Sequence, residues 1–301
     1  MSPPSYMKAT LSPKEMAQAI GVSESSVKRW VDDGQIEATR TSGGHRRIAV
    51  PEAVRFVREE DYPLLRPDLL GLADLSKREP DVPWRRPTAD ALFEALSEGK
   101  AAAARDMMVH SYIDGESLPA LCDGPIHEAV TRLGEIWQHD ARGIFIEHRA
   151  TDICLQALNQ IRGLLPTPPA SAPVAVGGCP AGDTHALGTL MAATVLADAG
   201  YRVVHVGPDT PLDSFRHAVE AHKPDLLWLA FSNVVANDPS DEEVMAFGRE
   251  LAEQNVAYLA GGSALAVRDL SGPGAPQPIE SMAHLVEVAR EHRGTDSEAA
   301  D

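Results

Sequence analysis

The stretch VAVGGCPAGDTHALGTLMAATVLADAG, residues 174–200, reads as a short apolar strand, a glycine-containing turn and a helix. Within it, Asp183-Thr184-His185-Ala186-Leu187-Gly188 follows the strand and opens the helix. The same alternation continues downstream. YRVVHVG (201–207), DLLWLAFS (225–232) and VAYLAGG (256–262) have the length and apolar content of strands, and PLDSFRHAVEAHK (211–223) that of a helix between them. Strands alternating with helices predict βαβ units and a parallel sheet covered on both faces. Ser232-Asn233-Val234 ends one later strand after 43 intervening residues, and Gly261-Gly262 ends the next after 26 more. All three pieces fall at strand C-termini, on the rim where open α/β sheets bind ligands. A lone histidine after a strand is usually an ordinary loop residue; the ordered set is what points to a ligand. A nucleotide-binding reading is disfavoured, because no GxGxxG follows a strand.

Upstream the pattern is helical. Ala91, Leu92, Ala95 and Leu96 share a face, as do Ile126, Val130, Leu133, Ile136 and Trp137. PTPPASAP (166–173) closes this segment. Before it, Pro63, Pro67, Pro80, Pro83 and Pro87 interrupt residues 63–87, which read as a linker with at most a helical turn. The polar end, HRGTDSEAAD, reads as a frayed tail from residue 293.

Residues 1–62 form the head. Ser12-Pro13-Lys14-Glu15 supplies an N-cap, a proline at the first helical position and a capping-box glutamate. That helix stops at Gly21, and Ser23 can cap a second, SESSVKRWVDD, ended by Gly34. Two short helices joined by Gly-Val-Ser have helix-turn-helix spacing. Val27 and Trp30 face inward in this reading. Ser25, Ser26, Lys28 and Arg29 face out, where hydroxyls and cations meet phosphates and base edges. IEATRTSGGHRRI follows, with Ser42-Gly43-Gly44 as a hairpin turn between strand-like ends. The hairpin is a wing carrying Arg40, His45, Arg46 and Arg47, placed to meet backbone beside a helix in the major groove.

Charge agrees with that division. The 301 residues carry a net −17, yet residues 1–60 hold nine Lys/Arg against eight Asp/Glu. The acidic excess lies in the remainder, so only the head suits a polyanion. With 44% hydrophobic and 24% charged residues, wholesale disorder is excluded. No run approaches the roughly 18 apolar residues of a membrane span, and the start lacks a secretory apolar core. Cys122, Cys154 and Cys179 make neither a disulfide framework nor a CxxC metal site. The expectation is a cytoplasmic protein of several domains, and not an enzyme.

The head resembles that of MerR-type regulators and excisionase-like proteins, in which a GGHRR wing recurs. The set Asp183-x-His185-x-x-Gly188, Ser232-x-Val234 and Gly261-Gly262 resembles the cobalamin-binding fingerprint of methionine synthase and the mutases, with Val234 where Leu is usual. That resemblance implies a Rossmann-like cobalamin-binding domain over residues 173–292. It implies His185 as the lower axial cobalt ligand, Asp183 fixing its tautomer, Ser232 on the nucleotide tail, and Gly261-Gly262 leaving room for that tail.

Trp137 and Glu147-His148 read by spacing alone as a buried tryptophan and a surface pair. Beside a corrin domain, W-x9-EH resembles the four-helix-bundle cap, here 88–166, of the CarH family of light-responsive MerR-type repressors. The resemblance implies adenosylcobalamin, with Trp137 shielding the upper axial group and Glu147 and His148 contacting the adenosyl moiety. Light-sensing members carry a His directly after that Trp. Here Gln138 stands there, and His139, the further candidate metal ligand, is one residue on, about 100° around a helix. The fold expected is multidomain α and α/β: winged helix-turn-helix, four-helix bundle, and parallel-sheet domain. The function expected is a photoreceptor repressor that binds operator DNA and self-associates, most simply as a homotetramer. Light-independent sensing of cobalamin, an added bilin chromophore, and a corrinoid methyl carrier or mutase subunit stand as alternatives.

Overall fold

The structure is a computed structural model. It describes residues 8–72, 75, 88–137, 141–233 and 238–298; the side chains of 136, 137, 141, 142 and 293–298 are outside that description. The chain divides into two compact units, Met1–Ser117 with Gly124–Thr167, and Leu118–Asp123 with Pro168–Asp301.

The first unit begins with the head: β1 (Thr10–Leu11), α1 (Pro13–Ile20), α2 (Glu24–Asp32), β2 (Thr39–Arg40), β3 (Arg46–Ala49) and α3 (Val50–Glu59). The Ser12 hydroxyl accepts from the Glu15 amide at 3.3 Å and the Glu15 carboxylate accepts from the Ser12 amide at 2.7 Å, a complete capping box. Gly21, at φ +76°, ends α1 in the left-handed conformation that glycine takes without strain. Ser23 then caps α2 by accepting from the Ser26 amide at 3.1 Å.

The strands form an antiparallel sheet in the order β1-β3-β2, with Leu11 opposite Ile48 and Arg40 opposite Arg46. Leu11, Met16, Ile20, Val27, Ile48 and Val54 are buried beneath it. Trp30 is half-buried and meets Phe56 at 4.9 Å between ring centroids, and Phe56 stacks on Tyr62 at 5.7 Å.

Residues 63–72 do not run free as a spacer. The Leu65 and Arg66 amides donate to the Ala19 carbonyl, Pro67–Leu70 form one 3-10 turn, and Leu64, Leu70 and Leu72 are buried. The prolines forbid a long helix here, but the leucines between them have the apolar flank of α1 to cover.

Four helices follow in the same unit: α4 (Ala89–Ser97), α5 (Ala101–Ile113), and, after α6 (Leu118–Leu121), α7 (His127–Trp137) and α8 (Ala141–Arg162). α4, α5, α7 and α8 pack as a bundle. Leu92, Ala95, Leu96, Ile126 and Leu133 are buried, as the helical spacing predicts, and Ile153 and Leu158 of α8 are buried with them. The Arg58 guanidinium of α3 lies 3.7 Å from the Tyr112 ring centroid of α5 and donates to the Glu116 carbonyl at 3.2 Å.

The second unit is built on five parallel strands: β4 (Val174–Pro180), β5 (Arg202–Thr210), β6 (Leu226–Ala230), β7 (Ala257–Gly261) and β8 (Gln277–Ile279), in the order β5-β4-β6-β7-β8. α9 (Ala186–Asp198), α10 (Leu212–His222), α11 (Asp241–Glu253) and α12 (Met282–Glu298) complete it. Val174, Val176, Leu227 and Leu229 point into one core with Phe215 of α10 and Phe247 of α11. On the other face Trp228 donates to the Thr189 hydroxyl of α9 at 3.1 Å, and Tyr201 donates to the Ala289 carbonyl of α12 at 2.7 Å.

α12 runs to Glu298, past the point where polarity suggested a frayed tail; a polar run does not end a helix whose earlier turns are docked. Among the described residues no helix is long and apolar enough to cross a membrane. The short α6 belongs with this unit, lying against α9 and α12. From the turn just after α6, Asp123 accepts from the Met282 and Ala283 amides at 2.8 and 3.0 Å, placing a carboxylate at the N-terminus of α12.

Candidate functional site

The strand order reverses at β4, with β5 on one side and β6 on the other, so the β4/β6 rim is the switch point where such sheets hold ligands. His185 follows β4 and Ser232 follows β6. Between them Asp183 is buried, 1% exposed, and accepts three hydrogen bonds. One carboxylate oxygen takes the His185 amide at 3.0 Å and the His185 ring Nδ1 at 2.9 Å, and the other takes the Ser232 amide at 2.5 Å. A carboxylate acceptor favours the tautomer that donates from Nδ1, which leaves the Nε2 lone pair unused by this contact. The His185 side chain is 52% exposed, consistent with an open second nitrogen.

Such an imidazole can serve as one axial metal ligand, with a carboxylate behind it to orient the ring and raise its basicity. Among the described residues no three His, Cys, Asp or Glu side chains gather as a metal site. One exposed imidazole held by a buried carboxylate suits a metal that brings its other ligands with it, and a corrin fits that donor set. Cys179, at the end of β4, adds a contact that spacing did not reveal: its thiol donates to the His185 carbonyl at 3.2 Å. Burial, with the Asp183 charge, pushes this thiol up to about 12, so it stays protonated and a donor.

Gly188 stands beside Ser232, a Cβ there lying 3.9 Å from the Ser232 hydroxyl. At Gly262 the need for glycine is backbone-made: φ is +109° and a Cβ would stand 2.2 Å from the Phe231 carbonyl. Gly261 is looser, with a Cβ 3.1 Å from the Ile279 carbonyl. The close approach of β7 to the end of β6 thus makes a demand on this pair that owes nothing to a ligand. Val234 lies outside the described residues.

On the bundle, Glu147 and His148 occupy α8, 3.5 Å apart, with Glu147 accepting from the Thr151 hydroxyl at 3.0 Å and His148 exposed. Ile144 and Phe145, one turn earlier, are exposed as well, an apolar surface next to the pair. Arg149 reaches back to the Ser97 carbonyl at 2.8 Å and fixes this part of α8 against the end of α4. Trp137 ends α7, with its side chain outside the description, and His139 lies outside the described residues.

In the head, Ser25, Lys28 and Arg29 are exposed on α2, and Arg40 and His45 on the wing. Ser26 is half-buried, its hydroxyl 2.9 Å from that of Ser23, and Lys28 pairs with Glu24. Arg46 and Arg47 are half-buried; Arg46 pairs with Asp32 at the end of α2 at 2.5 Å. Arg46 therefore ties the wing to the second helix, a through-space role that the GGHRR run does not display.

Comparison with known proteins agrees with both regions. A helix-turn-helix domain family matches residues 10–52, and the B12 binding domain family matches residues 173–274. The HTH-type transcriptional repressor CarA of Myxococcus xanthus is 27% identical over 227 residues, covering 74% of this chain and 76% of that protein. Dimethylamine corrinoid protein 1 of Methanosarcina acetivorans is 26% identical over 153 residues, 49% of this chain and 71% of that one. The structure of the Methanosarcina barkeri monomethylamine corrinoid protein superposes with a TM-score of 0.50 at 17% identity, over 66% of this chain and 95% of that one, a likeness of fold. With a helix-turn-helix domain at one end and a B12 binding domain at the other, the chain is a cobalamin-binding transcriptional regulator, similar to the CarA repressor.

Proposed function

We propose that this regulator is a light-responsive repressor whose cofactor is adenosylcobalamin, with His185 as the residue that would hold its cobalt. The supporting observation is the Asp183–His185 pair, a buried, triply bonded carboxylate holding a half-exposed imidazole by Nδ1. When bound, the cofactor would supply a weak cobalt–carbon bond that visible light breaks.

The rest falls to the chain. Asp183 holds the Nδ1 proton and strengthens Nε2 as a donor. Ser232, with Val234 and the Gly261-Gly262 turn, is proposed to receive the nucleotide tail. Trp137, Glu147 and His148 are proposed to cover the upper group, favouring a self-associated state, most simply a tetramer. Several heads on one assembly bind DNA with an avidity that one head lacks. Without contacts for Trp137, Glu147 and His148 to make, the population would shift away from that state and the operator would be freed. Ser25, Lys28, Arg29, Arg40, His45 and Arg47 are the proposed DNA contacts, and Arg46 the brace of the wing.

The test records absorption spectra and DNA mobility of the full chain reconstituted with adenosylcobalamin, in darkness and after green light. The expected result is tight DNA binding in darkness, lost on illumination together with a spectral change. DNA binding that follows cofactor concentration and ignores light overturns the photoreceptor in favour of cofactor-level sensing. Absorption from a bilin in the purified protein would add a second chromophore.

A further inference from the structure

β5 ends in Gly207-Pro208-Asp209-Thr210, a stretch with no part in the function proposed above. It lies unusually close to β4. A Cβ on Gly178 would stand 2.3 Å from the Gly207 carbonyl, and the β4–β5 register shifts on both sides of Gly178. Past Gly207, itself at φ +93°, the chain reaches Asp209 at φ +51°. Aspartate enters that conformation more readily than most residues with a side chain, and here its bonds hold it there.

Two bonds do so. The Asp209 carboxylate accepts from the Gly182 amide at 2.8 Å, and the Asp209 amide donates to the Asp183 carbonyl at 2.8 Å. The Asp183 amide in turn donates to the Pro180 carbonyl at 3.1 Å, closing the turn. The backbone of the Gly182–Asp183 turn is thus gripped from the β5 side, while the Asp183 side chain is bonded to Ser232 on the β6 side. The histidine follows two residues later on the same short loop. Neither the strand pattern nor the Asp-x-His spacing requires an acid at position 209.

We propose that Asp209 is a positioning residue for His185, fixing the turn from which the buried Asp183 aims the imidazole. Its bonds go to the backbone of residues 182 and 183, and it acts on the ring through them. The proposal rests on the reading of His185 as the lower axial ligand.

The test compares the full-length Asp209→Gly, Asp209→Asn and His185→Ala variants by dark titration with adenosylcobalamin, reading affinity and the visible spectrum of the bound cofactor. Asp209→Gly suits a positive φ but deletes the acceptor. It should weaken binding by about tenfold, as loss of a group supporting a metal ligand does, and raise the share of bound cofactor without imidazole ligation. Asp209→Asn keeps an acceptor oxygen and tolerates the left-handed region, so it should return both readings towards the parent. Thermal unfolding of the cofactor-free chain separates positioning from a structural role, which would lower the melting temperature and leave the spectrum of what binds unchanged. Parent-like affinity and spectrum in Asp209→Gly, alongside lost imidazole ligation in His185→Ala, overturn the proposal and leave the lower-ligand reading standing. Equal loss in Asp209→Asn and Asp209→Gly also overturns it. Retained imidazole ligation in His185→Ala removes the reading on which it rests.

Discussion

Lys28, Arg29, Arg40 and His45 stand exposed on the head, on a scaffold whose strength lies in the Trp30–Phe56–Tyr62 cluster and the capped starts of α1 and α2. His185 stands exposed on a loop whose adjacent carboxylate is buried and bonded three times. The first arrangement suits a repeating polyanion, where many contacts each add a little and none need be held at one angle. The second suits a single directed bond, where one nitrogen must be protonated and the other aimed. Substitutions should therefore act by degrees in the head and nearly all at once in the loop.

The hardest test of that contrast is Asp183→Ala. It strands the Ser232 and His185 amides and frees the ring, and should cost about 2–4 kcal/mol of stability in urea unfolding while abolishing imidazole ligation of bound cobalamin. A loss below ~1 kcal/mol would mean that the loop is held mainly by other bonds. His185→Ala should remove the same spectral signature yet change unfolding by less than about 0.5 kcal/mol, since the ring is half exposed.

In the head, Trp30→Ala should cost roughly 2–3 kcal/mol of stability, the lower end for an aromatic because the ring is only half-buried. Among the exposed cations, Arg40→Ala should weaken DNA binding across sequences and lower the slope of log affinity against log salt by about 0.9. Arg46→Ala should lower that slope by less, because Asp32 already neutralises part of its charge, and a full-size change would break the assignment of Arg46 as a brace.

The smallest effect is acid sensitivity. The Lys8 ammonium, with the Ser12 amide and hydroxyl, holds the Glu15 carboxyl at about 2. A carboxyl lowered on folding stabilises the folded state above its ordinary value near 4.5, and that contribution fades as pH falls towards 2. Glu15→Gln should flatten the unfolding of the head between those values by less than about 1 kcal/mol, as expected for a partly exposed pair.

Short-range chemistry was legible in the sequence: Ser12 and Glu15 three residues apart, Gly21 after an apolar face, and Asp183 two residues before His185 all declare themselves locally. β8 was not, because Gln277-Pro278-Ile279 is three residues with a proline, tolerated only because the strand is at a sheet edge. Residues 63–72 have the prolines of a linker, yet their leucines are buried by a helix some 45 residues upstream. Cys179, Asp209 and the Arg46–Asp32 pair act across space, on partners chosen by the path of the chain rather than by spacing. The Asp183–His185 contact is therefore readable from the sequence, and its supports are not.

Asp123 has a practical bearing on anyone cutting the gene into pieces. A fragment begun at residue 168, where the linker prolines invite a boundary, would leave the last helix of the sheet domain without the carboxylate that seals its first turn. Shuffling bundles between relatives would carry the same hidden debt, since a few residues of each donor's bundle segment belong to the other module. Expression boundaries are better drawn ahead of Leu118, and chimeras better spliced inside helices than between them.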